Sequence, residues 1–266
     1  PGKILHERRH GEMANLGEVP FGRYYGTVDA TPLFLVLLHE VWRWTADDDF
    51  ARELEAPARG ALGWLLEHTD AHGYIYYEAR SEGGLKNQGW KDSGDCILFR
   101  TGAEAEGRIS LCEAQGYAYD AYTRTAELAE AVWDDAGLAH ELRQKAAGLK
   151  ERFDRDFWVE DGGYYALALD GEDRRVDSLT SNIGHLLLSG IVPEGKARAV
   201  ADQLLGERLM SGFGLRTMAE GEGGYDAEGY HTGSVWPHDN SLIAYGLSRY
   251  GFRAEAGRIA LALLDA

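Results

Sequence analysis

Ile109-Ser110-Leu111-Cys112-Glu113-Ala114-Gln115-Gly116-Tyr117-Ala118-Tyr119-Asp120-Ala121 carries apolar or small residues at intervals of three and four, the spacing of one helix face. The stripe of Ile109, Leu111, Ala114, Tyr117, Ala118, Ala121 and Leu128 predicts a helix over Ala103 to Val132. A second periodic run follows from Asp134 to about Phe153. The connection is too short for anything but antiparallel neighbours, so the chain reads as one built from helical hairpins.

The same pattern extends both ways. Thr31 as cap and Pro32 in the first turn open a helix through Leu33, Phe34, Leu37, Leu38 and Val41 to about Trp44. Asp47, Asp48 and Asp49 then cap a run with Phe50, Leu54, Ala58, Leu62, Leu65 and Leu66 on one side, kinked at Pro57. Downstream, helical runs cover Ser181 to Leu188, Pro193 to Leu209, Asp239 to Tyr250, and Arg253 to the end. That makes about eight helices. Tyr74 to Glu78 and Trp158 to Leu169 are expected to be β-hairpin excursions bounded by glycine. No proline- or serine-rich linker divides the chain, which reads as one all-α domain over 1–266.

Composition narrows the function. Apolar residues at 44% and charged residues at 27% are ordinary globular usage, which excludes disorder. A net charge of −17 repels phosphate backbones and anionic lipid, so nucleic acid and membrane are poor partners, whereas a neutral ligand is not repelled. The apolar stretch Leu33 to Leu38 is far too short to span a bilayer, no signal-peptide core is present, and a soluble, cytoplasmic protein is expected. Cys96 and Cys112 are too few for a disulfide framework and read as reduced thiols.

Three irregular segments stand out: Tyr24 to Asp29, Gly73 to Cys96, and Met210 to His238. Each precedes an odd-numbered predicted helix, so in a ring of hairpins all three gather at one rim. They are rich in Trp, Tyr, Gly and carboxylates, and flat apolar rings beside directional hydrogen-bonding groups are what a sugar requires. In Asn87-Gln88-Gly89-Trp90-Lys91-Asp92-Ser93-Gly94-Asp95, a carboxyl held against Trp90 would be pushed toward its protonated form, with Lys91 opposing. The alternative is a solvated loop in which Asp92 or Asp95 caps a turn. In Leu111 to Tyr117, Glu113 and Gln115 cannot both face a packed core, so one is expected to face the cavity.

In Tyr230 to Asn240, Asp239 or Asn240 could equally cap a helix above packed Trp236 and Pro237. His231 and His238 lie seven apart across a proline, which fits no common metal spacing, and neither metal nor cofactor is expected. Asp47 to Asp49 could be read as the magnesium motif of an isoprenoid-handling α/α toroid, but its place at a helix start favours capping.

Five ordered motifs together carry a resemblance: Tyr24 to Phe34, Gln88 to Asp95, Leu111 to Tyr117, Ser181 to Leu187, and Gly233 to Asn240. They resemble the glucosidase domain of the amylo-α-1,6-glucosidase family, the debranching-enzyme type of glycoside hydrolase. The resemblance implies an (α/α)6 toroid that acts on a terminal α-linked sugar by inversion, with two carboxyl groups roughly 6.5–9.5 Å apart. Asp92 matches the family's general-acid position. Tyr25, Asp29, Trp90, Lys91, Glu113, Trp236, His238 and Asp239 match positions expected to line the first sugar subsite. The acid must hold its proton near neutral pH, so burial at Asp92 and a stacking wall are expected.

A ring of six hairpins needs about twelve helices, two per hairpin. The chain therefore reads as part of such a domain, with the general base expected beyond Trp236-Pro237-His238-Asp239 and activity of the 266 residues alone weak or absent. An incomplete ring exposes apolar helix faces and invites self-association. Two other readings share the motifs: a carbohydrate-binding remnant without hydrolysis, and a mannosylglycerate- or trehalase-like hydrolase of the same toroid.

Overall fold

A computed structural model describes residues 2–18, 22–78 and 84–266. Among these the order is β1 (Glu7–Arg8), α1 (Glu12–Asn15), β2 (Arg23–Tyr24), α2 (Ala30–Thr45), α3 (Asp48–Glu53), α4 (Glu55–Glu67), β3 (Ser110–Leu111), α5 (Cys112–Ala131), α6 (Ala136–Asp156), β4 (Trp158–Val159), β5 (Tyr164–Tyr165), β6 (Ala168–Leu169), β7 (Arg175–Val176), α7 (Asn182–Ser189), α8 (Glu194–Leu204), α9 (Pro237–Arg249) and α10 (Arg253–Leu264). The helices form four hairpins: α2 with α3 and α4, α5 with α6, α7 with α8, and α9 with α10. Within the set, α5 packs against both α2 and α7, and α7 packs against α9, so these four arms make a consecutive row. The second arm of each hairpin packs on the first, and the core lies between the two layers, with Leu35, Leu128, Leu142, Phe153, Ile183, Leu186, Ile243 and Leu247 all buried.

Local chemistry accounts for most boundaries and for where expectation failed. Asp47 accepts from Phe50 N at 2.9 Å and caps α3, as read from the acidic triplet. The run beyond it breaks at Leu54, a turn before Pro57, because proline lacks the N–H that would bond Glu53 and its ring crowds that carbonyl. Asp135 caps α6 through Leu138 N at 2.9 Å, and the short 132–135 link makes α5 and α6 antiparallel neighbours. Thr31 is not the cap of α2, which begins at Ala30; its Oγ1 instead accepts from Ile4 N at 3.0 Å and ties down the N-terminal arm.

The largest correction is at α5, which starts at Cys112 rather than Ala103. Residues 103–111 are extended: Ala105 N bonds Ile97 O, Tyr77 and Ile109 exchange both backbone hydrogen bonds, and β3 pairs antiparallel with β6. Tertiary pairing there overrides a helical spacing that Gly107, at φ 74°, already interrupts. Tyr74 to Glu78 is accordingly no hairpin but an extended segment held against Thr69 and Ile109. Trp158 to Leu169 does contain one, β4 with β5, while β6 joins β3 and β7. The run from Pro193 ends as helix at Leu204. Cys96 and Cys112 are buried free thiols. No helix among the described residues is long and apolar enough to cross a membrane.

Close approach of α7 and α9 depends on Gly246, where an added Cβ would lie 2.5 Å from Leu188 N and 2.9 Å from Leu187 C. Helix propensity alone would have Gly246→Ala stabilise by about 1 kcal/mol. The backbone clash outweighs it, and the substitution is expected to destabilise by about 1–3 kcal/mol, readable as a lower midpoint in urea at unchanged slope.

Candidate active site

The four row helices bring their N-termini to one end of the fold: Asp29 precedes α2, Glu113 lies in the first turn of α5, Asn182 and His185 open α7, and His238 and Asp239 open α9. Anionic side chains are favoured there, because the unsatisfied N–H groups of a first turn carry partial positive charge. The three long loops meet over this end. Val28 N bonds Gln88 O at 2.9 Å, Lys91 Nζ bonds Thr217 O at 2.6 Å, and Ser93 Oγ lies 2.8 Å from His231 Nδ1. Gly89 lets the 87–95 loop settle on β3 just ahead of α5, since a Cβ there would fall 2.4 Å from Leu111 Cδ1.

Trp90 is the hub. Its indole stacks on His185 at 5.9 Å and meets His231, Trp236 and His238 edge-on at 5.5, 6.2 and 5.2 Å. Trp90 and Trp236 are half-buried and His238 is exposed, so they form a wall that a ligand can reach. Its Nε1 has no partner among the described residues. Asp92 is half-buried and makes no hydrogen bond to a described side chain, whereas Asp95 is exposed. Asp29 borders the same end, where burial pushes its carboxyl up against the Thr27 hydrogen bond that lowers it. Tyr25, 49% exposed, lines an adjoining cavity of about 310 Å³ with Trp64, Tyr76 and Gln88.

Beneath the wall lies a fully buried charged layer of Lys91, Glu113 and Asp239. Burial pulls Lys91 below the ordinary lysine range, while Asp239 and Glu113 pull it back. Asp239 accepts from His185 Nε2 at 2.6 Å, and His185 Nδ1 meets the Tyr117 hydroxyl. Burial would raise Asp239, but the bonded His185 and the charge of Lys91 outweigh it and hold the carboxyl below the usual range. Glu113 goes the other way: burial raises it, against its own backbone N–H and the charges of His185 and Lys91. Glu113 Oε1, Asp239 Oδ2, Ser181 Oγ and both amide atoms of Asn182 lack partners among the described residues.

Both Glu113 and Gln115 are buried, and they divide the work. Gln115 clamps the Ile75 backbone through Oε1 at 2.9 Å and Nε2 at 2.8 Å, which leaves Glu113 to the charged layer. Neither Asp239 nor Asn240 caps α9: Asp239 turns inward to His185, and Asn240 bonds Leu215 N and O at 2.6 and 3.0 Å. His185, Tyr117, Ser93 and His231 were given no role by sequence reasoning. Tyr117, Ser93 and His185 lay within the quoted motifs, and His231 entered only as a rejected metal ligand. No group of three or more His, Cys, Asp or Glu among the described residues is arranged to hold a metal ion.

Glu113 also yields a pH test. Its native value lies above the unfolded value near 4.5, so above that pH the unfolded chain releases a proton that the native state retains, and stability falls as pH rises through the window. Glu113→Gln removes this dependence. Its melting temperature relative to wild type is expected to be higher at about pH 7 than at about pH 4.

The site thus combines a carboxylate-bearing loop and an indole wall on a scaffold of helical hairpins. A family model described as the mannosylglycerate hydrolase MGH1-like glycoside hydrolase domain matches residues 28–266, and the chain belongs to that family. Mannosylglycerate hydrolase from Thermus thermophilus, solved with Tris and D-glycerate, is similar with a TM-score of 0.71 at 15% identity, over 98% of this chain and 74% of that one. Neutral trehalase from Saccharomyces cerevisiae is similar with a TM-score of 0.55 at 16% identity, over 65% and 34%. Solabiose phosphorylase from Paenibacillus borealis is 33% identical over 152 residues, 53% of this chain and 19% of that protein. The chain therefore spans 19% of the phosphorylase and 34% of the trehalase. These likenesses support the (α/α)6 toroid fold. The match supports the coarser part of the motif reading, a glycoside hydrolase family of the α/α-toroid kind, at the level of the MGH1-like domain.

Proposed function

We propose that the chain carries the acid-bearing part of an inverting, exo-acting α-glycosidase that releases a terminal sugar, with Asp92 as general acid. Trp90, Trp236, Tyr25, Asp29 and His238 face the sugar in the first subsite. Lys91, Glu113 and Asp239 form the charged layer that holds the wall and fixes the local field. The observation that carries this reading is a half-buried carboxylate with no hydrogen bond to a described side chain, two residues from an indole hub that adjoins a buried cation and two buried carboxyl groups. In such a site the acid protonates the departing oxygen while a base activates water on the opposite face. The motif resemblance puts that base in a segment beyond Trp236 to Asp239.

The motifs favour an amylo-α-1,6-glucosidase-type substrate. The family description favours a second substrate class, a mannosylglycerate-type glycoside. Isothermal titration with glucose, maltose, isomaltose, mannosylglycerate and trehalose is expected to show binding of an α-linked sugar that is lost in Trp90→Ala. Proton NMR of the first-released anomer is expected to show the β form. Release of the α form overturns inversion, and no binding of any of these sugars overturns the reading.

A further inference from the structure

We propose that His231, as a neutral imidazole protonated on Nε2, is the positioning residue that fixes the loop carrying Asp92, by accepting hydrogen bonds from Ser93 at Nδ1. The role given to Asp92 rests on the proposed function; the geometry does not. Ser93 Oγ lies 2.8 Å and Ser93 N lies 3.4 Å from the same nitrogen. A backbone N–H can only donate, so Nδ1 must present its lone pair, and in a neutral ring the proton then sits on Nε2. The imidazole is held in place to do this. It is 3% exposed, stacks on Trp236 at 5.4 Å and 25°, and meets Trp90 and Tyr230 at 5.5 and 4.6 Å.

Ser93 is clamped at every polar group. Beyond the two contacts with His231, its carbonyl accepts from Asn87 Nδ2 at 2.6 Å and from Cys96 Sγ at 3.0 Å. On the other side of Asp92, Lys91 is pinned through Nζ to Thr217 O and through its carbonyl to Cys96 Sγ. Asp92 thus stands between two anchored neighbours with no hydrogen bond to a described side chain, and its backbone position is set by theirs. His231 alone among these anchors reaches across from the 210–236 loop to Ser93. The charged groups facing the ring are Lys91, Asp92 and Asp95 on the acid loop and Asp239 on α9. Burial, followed by the charge of Lys91, pushes His231 down to about 4, so it remains an acceptor at neutral pH.

The test uses the whole chain labelled with nitrogen-15. At neutral pH, His231 is expected to show a pyridine-type resonance at Nδ1 and a pyrrole-type resonance at Nε2. His231→Phe keeps a stacked ring without the acceptor and is expected to speed hydrogen exchange of the Ser93 amide at least tenfold. His231→Asn sets an amide oxygen near the Nδ1 position and is expected to restore most of that protection. A protonated Nδ1, or Ser93 exchange that is unchanged in His231→Phe, overturns the inference. Should His231→Phe not fold, the wild-type tautomer and Ser93→Ala, which removes only the hydroxyl donor, still decide it. Sugar titration of the wild type is scored separately: if no sugar binds, the glycosidase reading fails while the tautomer and exchange results stand on their own.

Discussion

Replacing Asp92 by asparagine is expected to lower hydrolysis of an alkyl-type α-glycoside by about 100- to 10,000-fold, the contribution of a positioned general acid, with sugar affinity changed only a few-fold. The amide is nearly isosteric and cannot deliver a proton. Because Asp92 makes no hydrogen bond to a described side chain, the exchange should disturb its surroundings little. The leaving group supplies the internal control. A sugar alkoxide needs protonation to depart, whereas a nitrophenolate departs without it, so the loss on a nitrophenyl glycoside should be much smaller than on a disaccharide. Equal losses on both substrates would remove Asp92 from the proton-transfer step. A wild-type chain that binds sugar but hydrolyses neither substrate, even when sensitively assayed, would favour the carbohydrate-binding reading.

Asp239→Ala is expected to have the largest effect on stability. It strips a fully buried carboxylate from His185 and leaves buried Lys91 facing a smaller negative charge. Removing one partner of a buried pair costs about 3–5 kcal/mol, because the remaining polar groups stay desolvated. For a chain of this size that is a fall in melting temperature of roughly 6–20 °C. The pH dependence follows from the direction of the shift. The native carboxyl sits below the unfolded value of 3.8, so its contribution is complete above that value and is lost as pH falls through the native one. The gap between wild type and Asp239→Ala should therefore be widest at neutral pH and shrink toward about pH 3. Asp239→Asn keeps an acceptor for His185 but not the charge facing Lys91, and should fall between the two. A gap that does not narrow in acid would mean that Asp239 is not ionised in the native state.

Exposed apolar side chains give the self-association expectation a location. Leu37 and Trp44 on α2 and Leu261 and Leu264 on α10 are all exposed, Trp44 at 87%. Sedimentation of the chain over a range of concentrations would read whether these faces associate.

How much was legible varied with the range of the interaction concerned. Helical periodicity, the short link before α6 and the acidic cap of α3 are local features, and each was read correctly from residues a few positions apart. The clustering of three long loops at one end followed from their placement before alternate helices, and the hydrogen bonds from Lys91 to Thr217 and from Val28 to Gln88 bear it out. The helical spacing of 103–111 misled, because whether that stretch coils or extends is decided by Ile97, Tyr77 and β6, which lie elsewhere in the chain. Likewise, no local feature separates Glu113 from Gln115 or distinguishes Asp239 as an inward partner from Asp239 as a cap. Those roles depend on which backbone and which histidine fold against them. Composition, most of the helix content and the gathering of the 87–95 loop with the other two long loops were thus legible in the sequence itself. The layering of an accessible aromatic wall over buried Lys91, Glu113 and Asp239, and the hold of His231 on Ser93, were decided only by tertiary structure, since burial and partner choice join residues up to 138 positions apart.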